Sequence, residues 1–215
     1  MSETPRLILE TDIPYGTGGG RTLLMDVLRP DVPPHPARPA VIWVHGGGWR
    51  GGVRDPHPNR MLAERGFVTA SISYRFSQEA IFPAQIHDVK AAIRSLRANA
   101  TRWGVDPERI GIWGHSAGGH LAALAAVSSG IPAVEGDGGS PDESSEVQAA
   151  VLMSAPTDFL VDWYRDSGYP PHEAFSAVVE LLGGDALADP DIGEQARLAS
   201  PVALANADAA PMLVI

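Results

Sequence analysis

Arg109-Ile110-Gly111-Ile112-Trp113-Gly114-His115-Ser116-Ala117-Gly118-Gly119-His120 decides how the chain is to be read. A short apolar strand runs into a serine ringed by small residues and then into a helix. The spacing Gly114-x-Ser116-x-Gly118 suits a turn so sharp that strand and helix backbones nearly touch, which only small residues two before and two after the serine allow. Such a turn lifts the hydroxyl above a sheet. It also places it at a helix N-terminus, whose unpaired N–H groups and positive dipole end favour a negative oxygen. Ser116 is the candidate nucleophile. A glycine-rich turn packed for structural reasons would show the same five residues, so the rest of the chain must decide between them.

Upstream, Ala40-Val-Ile-Trp-Val44 is a continuous apolar run with the length of a parallel strand buried on both faces. It ends in His45-Gly46-Gly47-Gly48-Trp49. Three successive glycines cost backbone entropy, so this loop needs close backbone approach or unusual dihedrals. The N–H groups of Gly46 and Gly47, joined by that of Ala117 after the serine, are candidate oxyanion donors. His45 precedes the serine and opens the loop; its expected role is structural, the ring hydrogen bonding to hold the loop's shape. His120, one helical turn beyond Ser116, is expected to pack or bond locally.

Around these two motifs the chain alternates strand-like and helix-like stretches. Leu7–Pro14 and Arg21–Arg29 flank Gly16-Thr-Gly-Gly-Gly20, read as the loop of an opening antiparallel pair. Pro30–Pro39, with five prolines, is an exposed connection. Asn59–Arg65 suggests a helix closed by Gly66, and Phe67–Ser73 the next strand. Pro83 opens a longer helix whose Ile86, Val89, Ile93 and Leu96 form one core-facing stripe. His87 and Asp88 point about 100° apart on that helix and are not read as an acid–base pair. Trp103–Arg109 is the turn into the serine's strand, and Leu121–Val127 a helix apolar almost all round. Gly136–Ser145 reads as a mobile surface loop; its Asp137, Asp142 and Glu143 depart from calcium-loop spacing, so no metal site is read there. Ala149–Met153 is another buried strand, ending at Ser154-Ala-Pro-Thr-Asp158-Phe. Between it and a last strand, Pro211–Ile215, residues 159–200 carry Trp163, Tyr164, Tyr169, Pro170, Pro171 and a helix-like Glu173–Leu182. This interval suits a lid-like insertion over a substrate or a packed surface excursion equally.

Composition limits the alternatives. With 215 residues, 44% hydrophobic and 20% charged, the chain suits a single globular domain. The net charge is −10 and Lys90 is the sole lysine, so there is no basic stripe for nucleic acid or for an anionic membrane. Cysteine is absent, which excludes thiolate catalysis and Cys-ligated zinc. No secretory leader and no run of 18 apolar residues is visible, which makes the cytoplasm the expected location.

Strands alternating with helices, opened by an antiparallel pair, indicate a mostly parallel α/β sheet with helices on both faces. Ligands then bind at the carboxyl ends of the strands, where His45–Trp49, Ser116 and Asp158 fall. His-Gly-Gly-Gly-Trp after the third strand and Gly-x-Ser-Ala-Gly-Gly-His after the fifth, about seventy residues apart, resemble the α/β-hydrolase carboxylesterases. The acetylxylan and feruloyl esterase-like branch is the nearer match, with hormone-sensitive-lipase-type esterases as relatives. The likeness covers nearly the whole chain, including Ser73-Tyr-Arg75 and Ser200-Pro-Val202. It implies a Ser–His–Asp triad, no cofactor, and hydrolysis of short-chain acyl or aryl esters, with Ser116 as nucleophile and Gly46, Gly47 and Ala117 as the oxyanion hole. The partners it implies are small-molecule esters, with a homodimer also allowed.

The family's acid follows its seventh strand and its histidine the eighth, whereas these residues stop within strand seven, without a last strand and helix. Pro211–Ile215 is also too apolar for an exposed edge. Three expectations compete: a longer polypeptide, a rewired triad using Asp158 and His172, or a hydrolase scaffold that binds without turnover. An arylformamidase-type amidase shares the constellation and is the alternative enzyme.

Overall fold

A computed structural model describes residues 5–33, 36–55, 57–161 and 171–215, with the side chains of residues 57 and 171–174 outside that description. Seven strands form one sheet: β1 (Leu7–Gly18), β2 (Arg21–Pro30), β3 (Arg38–Val44), β4 (Val68–Ile72), β5 (Val105–His115), β6 (Ala149–Met153) and β7 (Met212–Val214). Their spatial order is β1-β2-β4-β3-β5-β6-β7. β1, β2 and β4 pair antiparallel, and every pairing from β4 through β3, β5 and β6 to β7 is parallel.

This order positions the site. From β3 the chain steps to β4 on one side and then to β5 on the other, so β3 and β5 flank a topological switch point. Crevices open at the carboxyl ends of strands there. Val44 pairs with Gly114 across the two strands, and the glycine loop and Ser116 therefore leave the sheet side by side.

The opening hairpin is tighter than the sequence suggests. β1 continues to Gly18, paired with Arg21, and the turn is Gly19-Gly20 alone, with φ of 59° and 78°. Two successive positive φ values are what a two-residue hairpin turn needs to match strand twist, and glycine adopts them without Cβ strain.

Eight helices are described: α1 (Arg60–Ala63), α2 (Ala84–Ala98), α3 (Ala100–Trp103), α4 (Ala117–Val127), α5 (Pro132–Glu135), α6 (Pro171–Leu182), α7 (Pro190–Ala199) and α8 (Pro201–Leu204). α4 is buried along its whole length, in keeping with its unbroken apolar surface, and shares one core with α2, Ile42, Val44, Ile110, Ile112 and Leu152. On the other face Thr69 and Ser71 are covered where the Ser71 hydroxyl donates to Asp55 O at 2.7 Å. Val41, Trp43 and Trp113 on that face keep partial exposure, so β3 is not the doubly buried strand its apolar run suggests. Trp43 and Trp113 pack edge to face there, ring centroids 4.9 Å apart.

Two expectations about α2 are corrected together. The helix does not present one core stripe; it is buried almost all round, including Asp88, Lys90, Arg94 and Arg97. The segment expected to be a mobile loop is tied to its outer side. Arg94 bridges the carboxylate of Glu135 and the carbonyl of Gly138, Arg97 donates to the carbonyls of Ser144 and Glu146, and Lys90 donates to Ser128 O and Glu135. Charged heads buried in this way must be paired, and the Glu135 carboxylate with the backbone carbonyls of Ser128, Gly138, Ser144 and Glu146 does the pairing. Asp88 is a partner of Arg75, which it grips through both carboxylate oxygens, and His87 bonds Ala133 O. The helix read over Asn59–Arg65 is shorter, a single turn entered by a 3-10 turn at His57–Asn59 and ended at Gly66 with φ 97°.

The 159–200 interval is described in part. Trp163, Tyr164, Tyr169 and Pro170 lie outside the described residues. α6 and α7 are present, with Val178, Leu181, Leu182, Ala196 and Ala199 in the main core. β7 lies at the sheet edge, paired to β6, and Leu213, Val214 and Ile215 are exposed in spite of their apolar character.

Candidate active site

Ser116 sits between β5 and α4 with φ 52° and ψ −121°, a sparsely populated conformation for a residue with a Cβ. Its N–H donates to Met153 O at 2.8 Å, and its carbonyl accepts from His120 N at 2.9 Å as the first bond of α4. The strand-turn-helix reading is therefore met. The small residues are steric necessities. A Cβ on Gly114 would lie on the Gly118 carbonyl, and one on Gly118 would lie on the Val44 carbonyl and 2.5 Å from His45 O. Those contacts also show that α4 starts against the exit of β3.

The glycine loop reaches the serine at Gly46. A Cβ there would stand 2.8 Å from His115 O and 3.3 Å from Ser116 Cβ, so the Gly46 backbone borders the hydroxyl. Beyond it Gly47, Gly48 and Trp49 have φ of 117°, 59° and 58°. Three successive left-handed residues curl the loop, and Gly47 O accepts from Arg50 N at 3.0 Å and Gly51 N at 3.2 Å. Ala117 is the first residue of α4 and is buried. Ser116, Gly46 and Ala117 are thus brought together, with Gly47 next in the curl.

His45 has the structural role expected of it. Its Nδ1 bonds Gly46 O at 2.8 Å, its ring stacks on Tyr74 at 4.5 Å, and the Tyr74 hydroxyl donates to His45 O at 3.0 Å. Burial lowers its pKa, which suits a ring that stays neutral. Packing against it is tight enough that a Cβ on Gly52 would enter the imidazole.

His120 is equally committed. The Trp49 indole N–H donates to Nδ1 at 3.2 Å, so the proton is on Nε2, which bonds Ala199 O at 2.7 Å. With Phe159 at ring-centroid distances of 5.0 Å from His120 and 5.9 Å from Trp49, these residues tie the glycine loop, α4, the β6 exit and α7 together. Complete burial pushes the His120 pKa down to about 4. The unfolded chain takes up a proton near pH 6.5 that the folded chain refuses until about 4. This contribution to stability is full above 6.5 and is lost as pH falls through the window, by roughly 3 kcal/mol. His45 and His87 are shifted downward by burial too and add with the same sign. In His120→Gln, whose amide keeps a donor and an acceptor, urea midpoints between pH 6.5 and 4 should fall less steeply than in the parent. Equal slopes would refute the assignment.

Asp158 accepts the N–H of Leu160 at 2.9 Å and so closes its own turn, while Phe159 N donates to Ser200 Oγ at 2.8 Å. His172 stands in the first turn of α6, and its side chain is outside the described residues. Among the described residues no group of three or more His, Asp or Glu side chains could hold a metal ion, and no helix is long and apolar enough to cross a membrane. Sequence reasoning missed Arg50, Ser77, Ser176 and Glu180, which surround the glycine loop. The one signal available was the i, i+4 pair Ser176 and Glu180 flanking the buried Ala177 on α6, which does not reveal a partner more than a hundred residues away.

The BD-FAE family profile matches residues 25–215. The chain belongs to the BD-FAE family. Esterase LipQ of Mycobacterium tuberculosis is 35% identical over 210 residues, covering 95% of this chain and 47% of LipQ. Among solved structures, a bifunctional GH43-CE protein of Bacteroides eggerthii matches with a TM-score of 0.77 at 31% identity, over 96% of this chain and 28% of that one. The propionate-bound esterase Est2 of Thermogutta terrifontis matches with a TM-score of 0.73 at 26% identity, over 95% of this chain and 70% of that one. This BD-FAE member therefore has the α/β-hydrolase fold, and it spans about half the length of the curated relatives it matches.

Proposed function

We propose that the chain is a serine carboxylic ester hydrolase of the α/β-hydrolase superfamily that acts on short-chain acyl or aryl esters through an acyl-enzyme on Ser116. The observation that carries this reading is the contact between two separately built elements, the elbow serine and the glycine loop at Gly46. LipQ and Est2 are named esterases, and Est2 has been solved phosphoramylated by tabun, an electrophile aimed at activated hydroxyls.

In this reading a general base takes the Ser116 proton as Oγ attacks the ester carbonyl carbon. The carbonyl electron pair moves to oxygen, and the N–H groups of Gly46, Gly47 and Ala117 stabilise the resulting oxyanion. Collapse expels the alcohol, which leaves with the proton returned by the base. Water then repeats the sequence on the acyl-enzyme and releases the acid. His120 does not serve as the base, because both of its ring nitrogens are spent on Trp49 and Ala199, and His45 holds the loop through the bond of its Nδ1 to Gly46 O. Nothing in this scheme calls for a cofactor. Within the 159–200 interval, α6 lies over the glycine loop and supplies the lid-like part of the same domain.

Reaction with a p-nitrophenyl phosphonate tests the proposal. Intact mass should rise by one phosphonyl group, with the adduct mapped to Ser116. Short p-nitrophenyl esters should turn over faster than a formyl anilide; the reverse order would move the assignment to an amidase. No adduct and no turnover would leave a binding protein on a hydrolase scaffold.

A further inference from the structure

Outside the elbow, four polar side chains join α6 to the glycine loop. The Arg50 guanidinium donates from Nη1 to Ser176 Oγ at 3.0 Å and places Nε 2.8 Å from Glu180 Oε2. The Nε–H is not aimed at that oxygen, so this is an ion contact rather than an aligned hydrogen bond. The other Glu180 oxygen accepts from the Ser77 hydroxyl at 2.9 Å, and Ser77 N donates to Trp49 O at 2.8 Å. Between the two α6 partners, Ala177 approaches Gly48, its Cβ 3.8 Å from where a Cβ on that glycine would lie.

The loop so held is the strained one. Trp49 at φ 58° has a bulky side chain in a conformation that persists only where its surroundings over-determine it. On one flank its indole is fixed by His120 and Phe159. On the other, its carbonyl is held by Ser77, and the next residue is held by α6. The Arg50 and Glu180 side chains are about a third exposed, at 31% and 32%. A pair so exposed is screened and contributes little to global stability, so its consequence is positional.

We propose that Arg50 and Glu180 are positioning residues: through them α6 fixes the curl at Gly47-Gly48-Trp49 and keeps the backbone N–H groups aimed at the acyl oxygen above Ser116. The inference rests on the ester-hydrolase reading. It makes α6 a control on rate, because any displacement of this helix reaches the oxyanion donors through the clasp. Small misplacements of catalytic groups carry large rate penalties.

The test measures phosphonylation of the protein by intact mass against time and inhibitor concentration, separating the maximal rate from the apparent affinity, with thermal midpoints alongside. Glu180→Gln keeps an acceptor for Ser77 while removing the charge facing Arg50; Arg50→Ala cuts the other side. Glu194→Gln, in an exposed pair on α7, is the control. Each clasp variant should lose about tenfold in maximal rate, short of the 10²–10³ lost with a whole oxyanion donor. Affinity should hold within about twofold, and the double variant should be no slower than the worse single one, as expected of residues acting as a unit. Should Arg50→Ala fail to fold, Glu180→Gln and Arg50→Lys carry the comparison. An unchanged maximal rate in folded variants, or a loss confined to affinity, overturns the clasp and leaves the hydrolase reading standing. An unlabelled parent protein overturns both.

Discussion

Ser116→Ala is expected to reduce p-nitrophenyl acetate turnover by a factor on the order of 10⁵ to 10⁶ and to abolish the phosphonate adduct. In the proposed reading the Ser116 hydroxyl forms the acyl bond, and the backbone donors left in the variant stabilise an oxyanion without supplying a nucleophile. The fold should survive. The serine's backbone bonds, its N–H to Met153 O and its O from His120 N, are kept by alanine. Alanine pays the same strain at φ 52°, so the thermal midpoint should stay within a few degrees, where about 1 kcal/mol shifts a domain of this size by some 2–4 °C. Turnover retained in a folded Ser116→Ala protein would remove the serine from the mechanism.

Gly118→Ala should be as damaging by a different route. Its methyl group would enter the carbonyl of Val44 and lie 2.5 Å from that of His45, both backbone atoms of the central strand and its exit. Neither can rotate away, so α4 and β3 must separate. Overpacking of this kind costs about 1–3 kcal/mol and more against rigid backbone, a large part of the 5–15 kcal/mol of a typical domain. We expect a thermal midpoint lower by about 10 °C or more, or insoluble protein. Whatever folds should be at least a hundredfold slower, because the displaced atoms lead into the glycine loop that the proposed reading makes the oxyanion hole. Gly193→Ala is the counterpart. It lies within α7, its Cβ would meet nothing within 4 Å, and it should stabilise by about 0.5–1 kcal/mol. A Gly118→Ala protein as stable and active as the parent would show that strand and helix are not in contact there.

Both predictions concern residues already legible in the sequence, because their signal is local. A serine flanked at two-residue spacing by glycines announces a turn that only a close strand–helix approach explains. The glycine run after Val44 announces a backbone that must curl. The positive φ values at Gly47 and Gly48 and the φ of Ser116 meet those expectations. His45 was also legible, since its place at the loop's start made a ring bond to the loop backbone the natural use of it.

What failed was what depended on distant partners. α2 shows a helical apolar stripe and polar residues elsewhere, which is how a surface helix reads; its charges are buried because residues 132–146 fold back over them. Composition alone makes Gly136–Ser145 look mobile, whereas Arg94 and Arg97 of α2 take its carbonyls and Lys90 and Arg94 take the Glu135 side chain before it. Apolar β3 looked doubly covered, yet Val41 and Trp43 keep partial exposure.

By itself, then, the order of residues determined the succession of strands, the elbow, the glycine loop and the family likeness, all of which rest on periodicity and on contacts within a few residues. Tertiary structure decided which strand ends become neighbours. The β4-β3-β5 order brings Gly46 to Ser116 across about seventy residues of chain. It also decided that Trp49 bonds His120 and that Glu180 faces Arg50. Side-chain pairing between elements depends on sheet order and helix docking, which no local pattern encodes.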